Sequence, residues 1–485
     1  MSYISINNLS FSYPGSSFKL FDNLSLVISS NYKLGLIGRN GRGKTTLLKI
    51  LNHELEYQGR IITELDFSYY PQVILDENKS TLEVIEDLYP NFLKWKLERE
   101  LNLLQIDLDV LDSNFKILSS GLKNKILLAC LFLNDNNFLL IDEPTNHLDK
   151  KGIITVSNYL KNKQGFIVVS HLRNFLDAVI DHVVYLGKNE ILLTKGNFST
   201  WYQNKERKDN FEIKENQKIK SEILRLDNAF KIRKGFSEKA EKEKYGDGHV
   251  DKGFLGHKAE KLMRRAKSIE KMIDSKKETK KSLLKDVEET QKLKINYEPF
   301  RQKDIFNISN LSYSYDQKKN IFSNVSINLK VGEILLISGN NGSGKSTLIK
   351  ILNRELNNSL SIPNDLKISY VPQIPEFSGT IKDIINKENI DYSSFCTILS
   401  KFNFPEELFT KETSSFSLGE KKKIALAISL SKSANIYLWD EPLNNIDIFS
   451  RIQIENLIKE TKITLIVIEH DESFLSELNI KTLTL

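Results

Sequence analysis

Apolar and polar residues alternate from Ile4 to Ser12, the period-two pattern of a strand with one buried face. Leu34–Ile37, Phe138–Ile141 and Phe166–Val169 are instead apolar throughout and are separated by stretches of helical periodicity. Such runs predict strands of a mostly parallel sheet covered on both faces, an α/β fold. Mid-chain the pattern changes: Ile219, Ile223, Leu226 and Phe230 recur at 4-3-4 spacing, and so do Leu262, Ala266, Ile269 and Ile273. Each series outlines a narrow coiled-coil seam. Gly246, Gly248, Gly253 and Gly256 interrupt it, which predicts an antiparallel helical hairpin turning at about 245–256. After the hairpin the α/β pattern resumes.

The resumption is a repeat. Gly38-Arg-Asn-Gly-Arg-Gly-Lys-Thr45 is echoed by Gly339-Asn-Asn-Gly-Ser-Gly-Lys-Ser346, with Lys44 and Lys345 301 positions apart. Nearly the same offset carries Tyr-Pro-Gln72 onto Val-Pro-Gln373, Asp142-Glu143-Pro144 onto Asp440-Glu441-Pro442, and His171 onto His470. The expected organisation is a nucleotide-binding domain at 1–203, the hairpin at 204–297 and a second nucleotide-binding domain at 298–485.

Composition adds constraints. With 40% apolar residues, 485 residues suffice for several cores. No run approaches the roughly 18 apolar residues of a membrane span, and no basic segment leading into an apolar one opens the chain. A cytoplasmic protein is expected. Cys130 and Cys396 lie far apart in apolar surroundings and read as core. The net charge of +6 is concentrated: residues 201–300 hold 27 Lys and Arg against 19 Asp and Glu. The remainder is slightly acidic.

A glycine-rich loop between an apolar strand and a helix lets the backbone approach phosphate and presents helix N–H donors to it. Gly38, Asn40, Gly41, Gly43, Lys44, Thr45 and Thr46, with Gly339, Asn341, Gly342, Gly344, Lys345, Ser346 and Thr347, are the candidate ATP ligands. Lys44 and Lys345 would reach the β/γ-phosphates, and the Thr45 and Ser346 hydroxyls Mg²⁺. The apolar runs ending in Asp142 and Asp440 put a carboxylate at the ligand end of the sheet, as Mg²⁺ partners. Gln72 and Gln373 are placed with the ATP and Mg²⁺ ligands. Glu143 and Glu441 are assigned as catalytic bases, and His171 and His470 as γ-phosphate contacts. Tyr13 and Tyr315 either stack on adenine or are plain core residues.

These motifs resemble those of ATP-binding cassette proteins, in which the signature of one cassette completes the ATP site of the other. That resemblance implies an α/β architecture of two cassettes in tandem joined by the coiled-coil hairpin, and an ATPase that is a monomer with an intramolecular cassette dimer. Here the signatures are Leu118-Ser-Ser-Gly-Leu-Lys123, with Ser119 and Gly121, and Phe416-Ser-Leu-Gly-Glu-Lys421, with Ser417, Gly419 and Glu420. The first departs from the family at Ser120 and Leu122, so the two sites are expected to turn over unequally. Glu143-Pro-Thr-Asn-His-Leu-Asp149 and the helical linker resemble the ABC-F group of translation-associated ATPases. Leu172 stands where that group has an acid after the histidine. Glu441-Pro-Leu-Asn-Asn-Ile-Asp447, Gly196-Asn-Phe-Ser-Thr-Trp-Tyr202 and Asp251-Lys-Gly-Phe-Leu-Gly-His-Lys258 resemble the Vga/Lsa branch of antibiotic-resistance proteins.

The resemblance implies binding to the 70S ribosome, with the hairpin directed to 23S rRNA near the peptidyl-transferase centre and to P-site tRNA, and displacement of lincosamides, streptogramin A and pleuromutilins. Neither DNA nor a membrane partner is expected. Lys231, Arg233, Lys234, Lys258, Lys261, Arg264, Arg265 and Lys267 are the candidate phosphate contacts. Phe236, Tyr245, Phe254 and His257 either stack on RNA bases or fix the turn. The rival readings are a housekeeping translation factor, the ATPase subunit of a transporter, and a DNA-maintenance ATPase. Ending at Leu485, the chain is expected to lack the C-terminal extension of some relatives.

Overall fold

The computed structural model describes residues 2–15, 19–134, 137–188, 190–243, 271–272, 275, 278–279, 291–315, 320–340, 342–356, 362–469, 471, 474, 478 and 480–485, with residues 226 and 229–243 described for their backbone alone.

The first cassette begins with strands β1 (Tyr3–Phe11) and β2 (Phe21–Ser29), followed by β3 (Lys33–Gly38), helix α1 (Lys44–Leu51), β4 (Gln58–Ile62) and β5 (Asp66–Tyr70). Next come α2 (Thr81–Leu88), α3 (Lys94–Leu103), α4 (Ser120–Leu131), β6 (Asn137–Asp142), α5 (Lys150–Lys161), β7 (Phe166–Val169), α6 (Arg173–Val179), β8 (His182–Leu186) and β9 (Ile191–Lys195). The apolar runs at 34–37, 138–141 and 166–169 all lie in strands. Their sheet runs β5-β6-β7-β3-β8-β9, parallel except for β9, and an antiparallel sheet β2-β1-β4 packs with it. Leu34, Leu36, Leu140 and Ile167 are buried with Leu47, Leu48 and Leu51 of α1, so sheet and helix form one core.

The second cassette repeats the plan with β10 (Asp304–Tyr313), β11 (Phe322–Lys330), β12 (Ile334–Ser338), α8 (Lys345–Leu352), β13 (Ile368–Val371), α9 (Ile381–Glu388) and α10 (Tyr392–Lys401). It continues through α11 (Leu418–Ser431), β14 (Ile436–Asp440), α12 (Ile448–Glu460), β15 (Leu465–Ile468) and β16 (Ile480–Thr484). The parallel order β13-β14-β15-β12-β16 matches that of the first cassette. Both cysteines behave as core: Cys130 is fully buried, with its thiol pushed up to about 12 by burial, and Cys396 packs against the second core.

Between the cassettes, helix α7, rich in Lys and Glu, good helix formers, runs unbroken for 46 residues from Phe198 to Glu243. It carries Ile219, Ile223, Leu226 and Phe230, together with Lys231, Arg233, Lys234 and Phe236. The turn of the expected hairpin and the second seam, Leu262, Ala266, Ile269 and Ile273, lie outside the described residues. Tyr202–Glu289 form a unit of their own, while residues from Thr290 onward belong with the cassettes. There Leu293 is buried in the second core and Asn296 Nδ2 donates to Ser431 O at 2.9 Å.

Candidate functional site

In both cassettes the loop after a central strand turns into a helix through a glycine with left-handed φ, Gly43 at 85° and Gly344 at 93°. A side chain there is excluded twice, by backbone strain and by neighbours: a Cβ on Gly43 would come within 2.7 Å of Phe21, and one on Gly344 would collide with Ile321. Lys44 Nζ donates to Gly38 O at 2.8 Å and Arg39 O at 3.2 Å; Lys345 Nζ donates to Gly339 O at 3.0 Å and Asn340 O at 2.9 Å. Burial lowers both lysine pKa values. The Ser343 hydroxyl is buried in the second loop without a partner among the described residues.

The neighbouring strands β6 and β7 bring the acids and the histidine to the same edge. Asp142, at the end of β6, accepts from Thr45 Oγ1 at 2.7 Å and Tyr69 OH at 3.2 Å; Asp440, at the end of β14, hydrogen-bonds Ser346. Burial raises both carboxyls. Glu143 and Glu441 follow with φ of 52° and 46°, a left-handed backbone uncommon for glutamate and held by N–H bonds to Val169 O (2.9 Å) and Ile468 O (3.0 Å). Burial, then the charge of Asp142, pushes Glu143 up to about 8. His171 Nε2 lies 3.1 Å from Glu143 Oε1, and burial, then Lys44 and Arg451, holds its pKa well below the usual histidine range. Glu441 instead accepts from Asn444 Nδ2.

The second cassette closes over the first loop. Asn40 Nδ2 donates to Asn445 O at 3.2 Å, and a Cβ on Gly419 of the second signature would stand 3.2 Å from the same amide. Arg39 lies over the Phe449 ring at 5.3 Å, and Arg173, two residues past His171, pairs with Glu455 of α12. Lys423 Nζ holds Asp447 at 2.8 Å; burial works to raise that carboxyl, but the ammonium outweighs it and keeps the pKa well below the usual range. In the mirror-image elements of the first cassette, Asp149 is exposed and Ile154 of α5 is 48% exposed. The two faces are therefore not used alike.

The description "ABC transporter" fits residues 21–146 and 322–444 of the chain. The ATP-binding protein Uup of Buchnera aphidicola is 30% identical across 98% of this chain and 79% of its own length. The ribosome protection protein VmlR of Bacillus subtilis is 26% identical (98% and 85%), and the energy-dependent translational throttle protein EttA of Haemophilus influenzae is 26% identical (95% and 88%). The chain belongs to the ABC-F ATPases. Among solved structures, an archaeal ribosome recycling factor, aABCE1, in complex with the stalk protein aP1, shares the fold with a TM-score of 0.62 at 20% identity, over 98% of this chain and 87% of that one.

As an ABC-F ATPase the protein binds ATP with Mg²⁺ and hydrolyses it, and its residues fit that cargo. Hydroxyl–carboxylate pairs at Thr45/Asp142 and Ser346/Asp440, with Asp440 Oδ1 and Gln72 Oε1 buried and without a partner among the described residues, are the hard oxygen donors Mg²⁺ takes. Gln72 is anchored by its amide nitrogen, which donates to Tyr89 OH at 3.0 Å and Leu127 O at 3.1 Å; Gln373 is exposed. Tyr13 and Tyr315 are not core: they are 47% and 56% exposed, with hydroxyls 2.7 Å from Thr46 and 3.2 Å from Thr347. Asn341, His470, Tyr245, Phe254, His257, Lys258, Lys261, Arg264, Arg265 and Lys267 lie outside the described residues. Sequence reasoning missed Asn445, Asp447 and Arg451. Asp149 and Asp447 were visible as repeated acids within quoted motifs; Arg451 has no repeat to mark it. Among the described residues no helix is long and apolar enough to cross a membrane.

Proposed function

We propose that the chain is a ribosome-protection ATPase: ATP closes the cassettes, the closed form binds the 70S ribosome, and the linker enters toward the peptidyl-transferase centre and dislodges a bound antibiotic. Hydrolysis then reopens the cassettes and releases the protein. In each site Lys44 or Lys345 binds the terminal phosphates, Glu143 or Glu441 orients and deprotonates the attacking water, and His171 or His470 contacts the γ-phosphate. Mg²⁺, when bound, neutralises the charge developing on the phosphates. Tyr13 and Tyr315 stack on adenine, and Ser119, Gly121, Ser417, Gly419 and Glu420 complete the opposite sites.

The observation that carries the ribosome reading is the 46-residue helix leaving the first cassette. At about 1.5 Å per residue it reaches roughly 70 Å, and it opens the segment where the basic excess is concentrated. A basic rod of that length suits RNA phosphates. The names of VmlR and EttA point the same way. The equal similarity to EttA, 26% for each, favours a second reading, a housekeeping translation factor. Drug susceptibility of a deletion strain separates the two.

The test is co-sedimentation of Glu143→Gln/Glu441→Gln protein with 70S ribosomes. ATP-dependent pelleting that weakens with salt is expected, because ATP shifts the equilibrium only through its preference for the closed form. Membrane co-fractionation without ribosomes would overturn the proposal in favour of a transporter subunit.

A further inference from the structure

Arg451 is buried, 5% exposed, on the first turn of α12. Its Nε donates to Ile446 O at 3.0 Å and its NH1 to Asp471 Oδ2 at 3.0 Å. Ile446 belongs to the loop whose Asn445 carbonyl receives Asn40 of the first phosphate loop, and whose Asp447 carries a charge felt by Lys44. Asp471 directly follows His470 of the second site. One guanidinium thus joins the loop that seals the first site to the segment that carries the histidine of the second.

The first cassette has no such joint. In the repeat, Ile153 stands at the position of Arg451 and Leu172 at that of Asp471. An ion pair on one side is replaced on the other by an apolar pair, both members together. A buried pair and a well-packed apolar pair of similar volume are comparably stable. Stability therefore does not demand the arginine, and its distinct capacity is to grip a loop carbonyl and a carboxylate at once through a rigid fork.

We infer that Arg451 is a positioning residue for the first ATP site, acting from the opposite cassette: it fixes loop 444–447 against Asn40 and ties that loop to Asp471 beside the second site's histidine. The coupling is one-sided, since Ile153 and Leu172 cannot reproduce it. It requires ATP binding alone and is independent of the ribosome reading.

The experiment uses the full chain, labelled with 8-azido-ATP and digested so that label on each cassette is counted by peptide mass spectrometry, alongside ATP KM and kcat from phosphate release. For Arg451→Met, label on the first cassette at sub-saturating nucleotide should fall about tenfold, within the usual range of intersite coupling, while the second cassette loses far less. KM should rise more than kcat falls. Arg451→Lys should recover part of the effect, because a cation remains but cannot fork. Arg451→Ile/Asp471→Leu installs the residues that stand at the matching positions of the first cassette, leaving no buried charge unpaired, so it guards against misfolding and should show the same selective loss. Equal loss on both cassettes in Met and double variants alike would reduce Arg451 to a fold-holding role. Undiminished first-cassette label would remove the positioning role altogether. Either result overturns the inference.

Discussion

The first and second ATP sites are built from the same motifs on the same strands, yet the chain around them is used differently. At the first site, the second cassette supplies a signature with a complete capping box, in which Ser417 caps Glu420 N–H and the Glu420 carboxylate returns to the Ser417 N–H at 2.8 Å. It also supplies a helix whose first eight residues are all buried, Ile448 through Glu455. The first cassette offers its counterpart with half the box, Ser119 capping Leu122 N–H at 3.3 Å with no acid to return, and a helix α5 that keeps a solvent-facing side. Motifs decide what chemistry a site performs. Their opposite face decides how well the site is held, and a repeat in one chain lets the two faces diverge.

The largest expected effect comes from the proposed bases. The double change Glu143→Gln/Glu441→Gln should cut phosphate release by about 10²–10⁴-fold, the usual worth of a general base. Singly, Glu143→Gln should remove more of the turnover than Glu441→Gln, because the better-held signature serves the first site. Equal losses would break the comparison. The pH profile sharpens it. With Glu143 pushed up to about 8 by burial and by Asp142, the ionised base accumulates only as pH rises toward that value. The turnover left in Glu441→Gln protein should therefore climb with pH up to about 8 and fall off below it.

A smaller effect separates the two signature glycines. A Cβ on Gly419 would stand 2.5 Å from Asn445 O and 3.2 Å from Asn40 Nδ2, whereas one on Gly121 would meet His147 O at 3.1 Å and Leu148 at 3.5 Å. Gly419→Ala must displace a loop that two cassettes share, an overpacking cost of about 1–3 kcal/mol. Gly121→Ala should cost less, as thermal unfolding of the two variants will show. The reverse order would mean that the approach to the Asn445 carbonyl is not the tighter one.

Much of this was legible in the chain. Runs such as Phe138–Ile141 are too short and too apolar for anything but a buried strand, and the repeat located both phosphate loops, both acid pairs and their order. What pattern could not convey is anything that depends on how segments distant in the chain meet. Leu172 read as a departure that left the following histidine segment without its usual acid. In the second cassette the acid at that position serves Arg451, and in the first cassette both corresponding positions, Ile153 and Leu172, are apolar. The left-handed φ of Glu143 and Glu441 was equally invisible, because that strain is imposed by neighbouring strands, not by local sequence. Tyr13 and Tyr315 stood undecided between core and ligand because aromatic residues suit both, and only exposure separates them.

The smallest effect tests whether the first signature is weak for the reason its capping suggests. Leu122 is the third helical residue of α4, the position Glu420 occupies in α11. In Leu122→Glu the carboxylate can reach the Ser119 N–H as Glu420 reaches that of Ser417, satisfying a helix-end donor and placing negative charge at the positive end of the helix. The gain should be about 0.3–1.5 kcal/mol in unfolding free energy, offset in part because the half-buried leucine side chain no longer packs there. Denaturant midpoints will register it. The telling measurement is turnover in the Glu143→Gln background, where the second site works alone: a rise on adding Leu122→Glu ties the inequality of the sites to this half-made cap. Stabilisation without any rise assigns the inequality to the exposed face of α5 instead.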